Sequence, residues 1–419
     1  MYYVISQHSG ARLHYVCQVL FKDLLGVDFQ LIDSVDAIPK GEPFLAYTHQ
    51  SPQQARYHIN PCGLLADEFG LEPCANPDEQ GIAGDPLAAI FWWITGFPYQ
   101  SEPCYDKHGR YDFAQYAHIQ AGQHHAPQVY HFANLIREKM GIPKHPMKKP
   151  TGTVTIDVDQ PWLFKHKPLG IQIGSIGKHL LKGDIQGAWR HFQTMLGGKD
   201  PNDTFDTIFQ HTAPKYTRFF CLLERRHPND TRHTWRNPAM NTLIRRIQAK
   251  GYGLGIHPSY TCYLRPDFIQ EEIDHLTQIT KTDTTHNRMH FLRYRQPETL
   301  RALISSGIRH DYSTGLYHDT GFVYGVAQPF PWFDLEQNEA TELMLHPTIA
   351  MDRTLVDYLK LSPKEALGRV ESLMNITKSV GGEFVLLIHN DSLSEFAEWK
   401  GWRSSIIEIL KKMHALNQA

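Results

Sequence analysis

Thr155-Ile156-Asp157-Val158-Asp159-Gln160-Pro161-Trp162 continues an apolar, β-branched run that begins at Val154, and it enters a proline turn carrying two carboxylates. In an extended chain residues i and i+2 share a face, so Asp157 and Asp159 can point into one space. Two crowded carboxylates repel unless a cation lies between them or one takes a proton. That is how a metal ligand and a general base come to stand side by side. Turn-forming or helix-capping aspartates are the plain structural alternative.

Working outward, the same strand-then-turn pattern returns along the chain. Candidate strands are Val154 to Val158, Arg218 to Leu223, Tyr252 to Ile256, Met289 to Leu292, Phe322 to Ala327, Glu342 to Leu345 and Phe384 to Ile388. Helical stretches separate most of them, which is the alternation of a parallel sheet or an α/β barrel. Some helix limits are chemically marked. Pro238 stands in a first turn and Gly251 stops that helix, while Ser362-Pro363-Lys364-Glu365 opens another with a capping box before Gly381-Gly382 ends it. Residues 1–149 read as a smaller α/β domain, with strands at Tyr2 to Ser6 and Phe44 to Thr48 and helices at Ala11 to Leu25, Phe113 to Ile119 and Val129 to Lys139. The Pro- and Lys-rich stretch from Gly141 to Pro150 reads as a linker into a second domain, 150–419.

Composition narrows the function. The 419 residues carry 42 Lys+Arg against 44 Asp+Glu, a formal net charge of -2, so no basic field is present to hold a nucleic-acid backbone. Six scattered cysteines form no Cys-x-x-Cys pair, which fits a reducing compartment. Met1 to Ser6 begins no secretory signal pattern, and a cytoplasmic location is expected. Pro86 to Pro98 is the longest apolar stretch and is shorter than the ~20 residues that span a bilayer, so a buried helix or docking surface is expected there. The 25 histidines stand out, and only those in a suggestive context are informative.

In barrels and open parallel sheets chemistry gathers where strands end. Besides Asp157 and Asp159, three such edges carry candidates. Gly251-Tyr-Gly-Leu-Gly255-Ile256 delivers His257 at a proline-fixed turn, with glycine spacing that is not a dinucleotide loop. Asn287 to Pro297 offers His290 with Arg293 and Arg295, of which Arg293 is the better candidate to orient a carboxylate. Phe384 to Ile388 ends in His389, placed as a general acid at the rim of a dry strand. Gly170 to Lys178 has the wrong spacing for a phosphate loop, and neither His-Glu-x-x-His nor Gly-x-Ser-x-Gly occurs.

Taken in order, these four edges resemble the polysaccharide deacetylase family, the NodB-type, family-four carbohydrate esterases, whose fold is a distorted (β/α) barrel. Asp157 and Asp159 resemble the general base and the first metal ligand of the family's Thr-Phe-Asp-Asp motif, with Val158 inserted. His257 resembles the first histidine of His-x-x-x-His; Thr261 stands where the second should be, and His290 is its expected replacement. Arg293 or Arg295 resembles the arginine of the Arg-x-Pro motif, with Arg293 the expected partner of Asp157. Leu387-Ile388-His389 resembles Leu-x-His, which carries the catalytic acid to His389.

The resemblance implies a metal-dependent deacetylase that removes an N- or O-acetyl group from a carbohydrate, in bacterial surface-polysaccharide metabolism. Zinc on Asp159, His257 and His290 is expected, with Asp157 as base, Arg293 keeping Asp157 charged, and His389 as acid. Trp162, Tyr260 and Trp332 are the expected sugar-stacking residues. Residues 1–149 resemble the accessory domain found ahead of deacetylase-like domains. The rival readings are a metal-independent glycosidase on a related barrel and an inactive carbohydrate-binding protein.

Overall fold

The computed structural model describes residues 1–7, 10–144, 148–167 and 169–418. Part of the expected linker, 145–147, lies outside the described residues.

The N-terminal part holds four parallel strands, β1 (Tyr2–Ser6), β2 (Phe29–Ile32), β3 (Phe44–Tyr47) and β4 (Tyr57–Ile59), in the order β2-β1-β3-β4. The helix at Ala11–Cys17 widens into π-type turns over Gln18–Leu24. Pro86–Thr95 is a helix buried on every side, capped by Asp85, whose side chain accepts from the Ala88 N–H, so the apolar stretch is core. Phe113 to Ile119 breaks into two short turns, Phe113–Gln115 and Ala117–Gln120, rather than one helix.

The larger sheet begins with β5 (Thr151–Val158), followed by β6 (Thr217–Cys221), β7 (Gly253–Ile256), β8 (His286–Asn287) and β9 (His310–Asp311). Then come β10 (Phe330–Asp334), β11 (Glu339–Leu345), β12 (Thr348–Met351) and β13 (Glu383–His389). Their order is β10-β11-β9-β8-β7-β6-β5-β13-β12, parallel except for the β10/β11 hairpin. β11 borders β9 and β12 borders β13, yet only His346 and Pro347 separate β11 from β12 along the chain. Backbone bonds from His346 to Asp311 and from Thr348 to Thr314 carry the pairing across that joint. The two ends of the sheet are thus one stretch of chain, and the sheet closes into a distorted barrel of seven staves.

Inside the barrel, residues alternate with those that face the helices. Phe220, Tyr312 and Val385 form a lumen cluster apart from the main core, which fills the space between sheet and helices. That main core also runs without a break into the N-terminal part. Tyr15 and Phe91 pack on Phe333 of β10, and the Tyr15 hydroxyl donates to the Pro331 carbonyl at 2.6 Å. A capping box at Ser362 and Glu365 opens the helix Pro363–Ser379, as its sequence predicts.

Two expected strands are absent. Phe322 to Ala327 is a buried loop: Gly321 and Gly325 have φ of 145° and 65°, and the Val323 and Gly325 carbonyls accept from the Tyr99 hydroxyl and the Val129 N–H instead of a ladder. A short apolar run reads alike in a strand and in a buried loop. Met289 to Leu292 is a turn, because Phe291 and Leu292 take φ of 62° and 54°, and the strand there ends earlier, at Asn287.

Gly255 faces the lumen, where an added Cβ would meet the Phe220 ring at 2.5 Å and the His286 carbonyl oxygen at 2.8 Å. Gly255→Ala should therefore destabilise the protein by about 1–3 kcal/mol through overpacking, read as a lowered denaturant midpoint. An unchanged midpoint would contradict the closed lumen.

Candidate active site

The C-terminal ends of β5, β7, β8 and β13 converge on one mouth of the barrel. Register makes this happen: Asp157 lies level with His389 on one side, and Ile256 lies level with Asn287 on the other. Each chain therefore leaves the sheet at the same height, and Asp157, Asp159, His257, His290 and His389 line a single cavity of about 440 Å³.

Asp159, His257 and His290 each present one ligand atom, and these lie within 4.8 Å of one another. His257 Nε2 is 3.3 Å from Asp159 Oδ1, and His290 Nε2 is 3.6 Å from Asp159 Oδ2. Both imidazoles are turned by their other nitrogen. His257 Nδ1 bonds the Arg288 carbonyl at 2.5 Å, and His290 Nδ1 meets Asp230 at 3.1 Å. Asp230 is itself fixed by the N–H groups of Arg226, His227 and Tyr260. Outer partners of this kind hold a histidine's free nitrogen on a metal. Asp159 Oδ1 is buried and, although 3.3 Å from His257 Nε2, receives no aligned hydrogen bond, which leaves an unsatisfied acceptor between two imidazoles. The donor set and that acceptor fit a divalent ion of the zinc type.

Charge in the site is tightly paired. Burial disfavours the Asp159 carboxylate, but His290 and His257 outweigh it and hold it well below the usual carboxylate range. Burial likewise opposes charge on His290 and on His389. Asp159 and Asp230 raise His290 to about 9, and Asp352, bonded to His389 Nδ1 at 2.9 Å, raises His389 to about 10.

The sequence-predicted residues separate into those the fold brings together and those it does not. Asp157, Asp159, His257, His290 and His389 meet in the cavity. Arg293 is not beside Asp157. Its guanidinium lies over the rings of Tyr260 and Tyr263, at 3.3 Å and 3.7 Å, and donates to the Tyr260 carbonyl, because the left-handed turn at Phe291 and Leu292 swings it away. Arg295 stacks over Tyr105. The cation on Asp157 is Arg288, at 3.2 Å, which also donates to the Tyr312 carbonyl and the Thr348 hydroxyl.

The three expected aromatic platforms are already covered. Trp332 is core and donates to Gln296, Trp162 packs on His166 and His233, and Tyr260 is sandwiched between His227 and Arg293. The aromatic side chains that line the cavity are Phe291, Tyr317, Tyr358, Phe396 and Trp399. Tyr317 is capped by Arg110, which reaches the cavity from the N-terminal part with its guanidinium 3.6 Å from the ring.

Arg288, Asp230 and Asp352 are the site residues that sequence reading did not assign. Ending β8 at Asn287 would have revealed Arg288, since it then leaves its strand one step beyond Asn287 as His257 does beyond Ile256. Asp230 sits in an irregular loop and carries no local signal.

Comparison with known proteins gives three findings. Residues 1–141 match a family of unknown function, DUF7033. No curated protein matches the sequence. Among solved structures the chain is similar to a Mycobacterium smegmatis protein that bears the name polysaccharide deacetylase, with TM-score 0.40 and 15% identity over 65% of this chain and 87% of that one. It is also similar to a Pseudomonas aeruginosa PAO1 protein of the same name, with TM-score 0.38 and 13% identity over 65% and 89%. An allantoinase aligns with TM-score 0.38 and 13% identity over 65% and 88%.

The His389–Asp352 pair yields a pH prediction for protein stripped of metal. A folded-state value raised to about 10 means the pair stabilises fully below the ordinary imidazole pKa of ~6.5 and loses that contribution as pH rises towards 10. Asp352→Asn should bring the His389 titration down by at least about one unit, followed by NMR of the imidazole. A titration that Asp352→Asn leaves in place would refute the pairing.

Proposed function

We propose that this chain is a metal-dependent deacetylase that hydrolyses an N- or O-acetyl group on a carbohydrate. The observation that carries the reading is the convergence of Asp159, His257 and His290 around an unsatisfied acceptor, with an Arg288-paired carboxylate and an Asp352-paired imidazole in the same cavity. That is the full set of parts for acyl hydrolysis.

Asp159, His257 and His290 would hold the ion. A divalent ion there acts as a Lewis acid towards an acyl carbonyl and makes water more acidic. Asp157 takes the proton from the attacking water. Arg288 anchors Asp157 Oδ1, leaving Oδ2, 3.6 Å from His257 Nε2, as the oxygen that faces the reaction. His389 enters the cycle as an imidazolium, with Nδ1 committed to Asp352 and Nε2, 3.8 Å from Asp159 Oδ2, turned into the cavity to protonate the departing amine or alkoxide. The raised affinity of His389 for its proton suits an acid that must be loaded at neutral pH. Tyr358, exposed at the cavity, is the platform for a sugar ring in place of the three covered aromatics. The chain divides after residue 149, and the N-terminal part serves the barrel by walling the cavity with Arg110.

Purified protein should carry about one divalent ion per chain by elemental mass spectrometry, and Asp159→Ala or His257→Ala should lose it. Asp157→Asn should keep the ion yet lower kcat for acetate release from an acetylated oligosaccharide by about 10²–10⁴-fold. Failure to take up zinc, cobalt or manganese would overturn the reading.

A further inference from the structure

Helices Leu169–Leu181 and Ile185–Met195 form a hairpin inserted between β5 and β6. Among the described residues eleven large apolar side chains are exposed, and eight of them lie between Ile171 and Leu196. Along the second helix and its C-cap, Ile185, Trp189, Phe192 and Leu196 recur at intervals of four, three and four, which is one face of a helix. They are 72%, 58%, 43% and 73% exposed, while Gly187, Ala188, His191 and Thr194 are the buried residues. A helix packed on a core turns its apolar stripe inward; here small and polar residues face the protein and the stripe faces out.

Charge indicates what would cover that stripe. Lys178, Lys182 and Arg190 are exposed on the hairpin, whose described residues hold a single carboxylate, Asp184, which is occupied by His179 and the Gly187 N–H. This cationic excess sits on a chain whose formal net charge is -2. A second copy docking by the same face would bring these cations against their own counterparts. An anionic lipid surface accepts both features at once: the apolar stripe enters the boundary between headgroups and acyl chains, and the long cationic side chains reach the phosphates.

We propose that the hairpin is a peripheral membrane-docking element that seats the protein on an anionic bilayer surface. It adjoins the catalytic cavity. The Arg190 guanidinium lies 5.4 Å from the Phe396 ring and His191 stacks on Phe164, while Phe396 and Leu163 line the cavity. Docking therefore holds the cavity beside the lipid surface, and a glycan borne on a lipid is the substrate class it favours. That last point rests on the deacetylase reading, whereas the docking itself does not.

The test is sedimentation of the full chain with phosphatidylglycerol-containing vesicles, which needs neither metal nor turnover. The protein should pellet with them, at least tenfold more weakly with pure phosphatidylcholine vesicles, and the double variant Leu181→Asp/Trp189→Asp should lose at least tenfold in binding while keeping the parent's thermal midpoint. Absence of binding to anionic vesicles would overturn the proposal. So would a dimer, seen by light scattering, that the same double variant converts to monomer, because the covering surface would then be a second copy.

Discussion

One buried cation ties the barrel to its chemistry. The Arg288 guanidinium is fully enclosed and divides its donors among Asp157 on β5, the Tyr312 carbonyl beyond β9 and the Thr348 hydroxyl on β12. Tyr312 and Thr348 belong to the two staves that meet at the closure and Asp157 lies on the far side of β13 from them, so the residue that pairs the candidate base also braces the seam of the sheet. A buried charge without its partner costs about 3–5 kcal/mol, so Asp157 and Arg288 are coupled in stability as well as in position. The Arg288 carbonyl, meanwhile, orients His257. Fold closure, the candidate base and the orientation of a candidate ligand therefore share one residue.

The cavity is built by both parts of the chain. Arg110, anchored to Asp106 by its Nε at 2.8 Å, spans from the N-terminal part to Tyr317 on the barrel. His108 meets the Tyr260 hydroxyl at 2.9 Å, close behind the His290 turn. Together with the shared core across Tyr15, Phe91 and Phe333, these contacts fix the N-terminal part against the barrel, with Arg110 as its wall of the cavity. The β10/β11 hairpin, the antiparallel excursion from an otherwise parallel sheet, is the surface on which that wall rests.

Much of this was legible in the sequence because it is local. Alternation of strands and helices predicts a parallel sheet or a barrel, the capping box at Ser362 and the proline at 238 mark helix starts, and strand ends pick out Asp157, Asp159, His257 and His389. Phe322 to Ala327 misled for a local reason too: its apolar residues fill the core from a loop whose backbone is satisfied by side chains and distant amides. The covered platforms Trp162, Tyr260 and Trp332 show the same limit, since an aromatic side chain in sequence carries no sign of whether its faces are free.

The sequence by itself determined which residue types stand at strand ends, since a two-residue period and proline- or glycine-marked turns are properties of a few neighbouring residues. Only the tertiary structure decided which of them meet. Two left-handed residues, Phe291 and Leu292, send Arg293 onto Tyr260, and the register of β8 against β7 sets Arg288 level with His257. Pairings across 131 residues, as between Arg288 and Asp157, depend on how the sheet closes. Closure is a cooperative property of the whole set of strands, and no short stretch of chain encodes it.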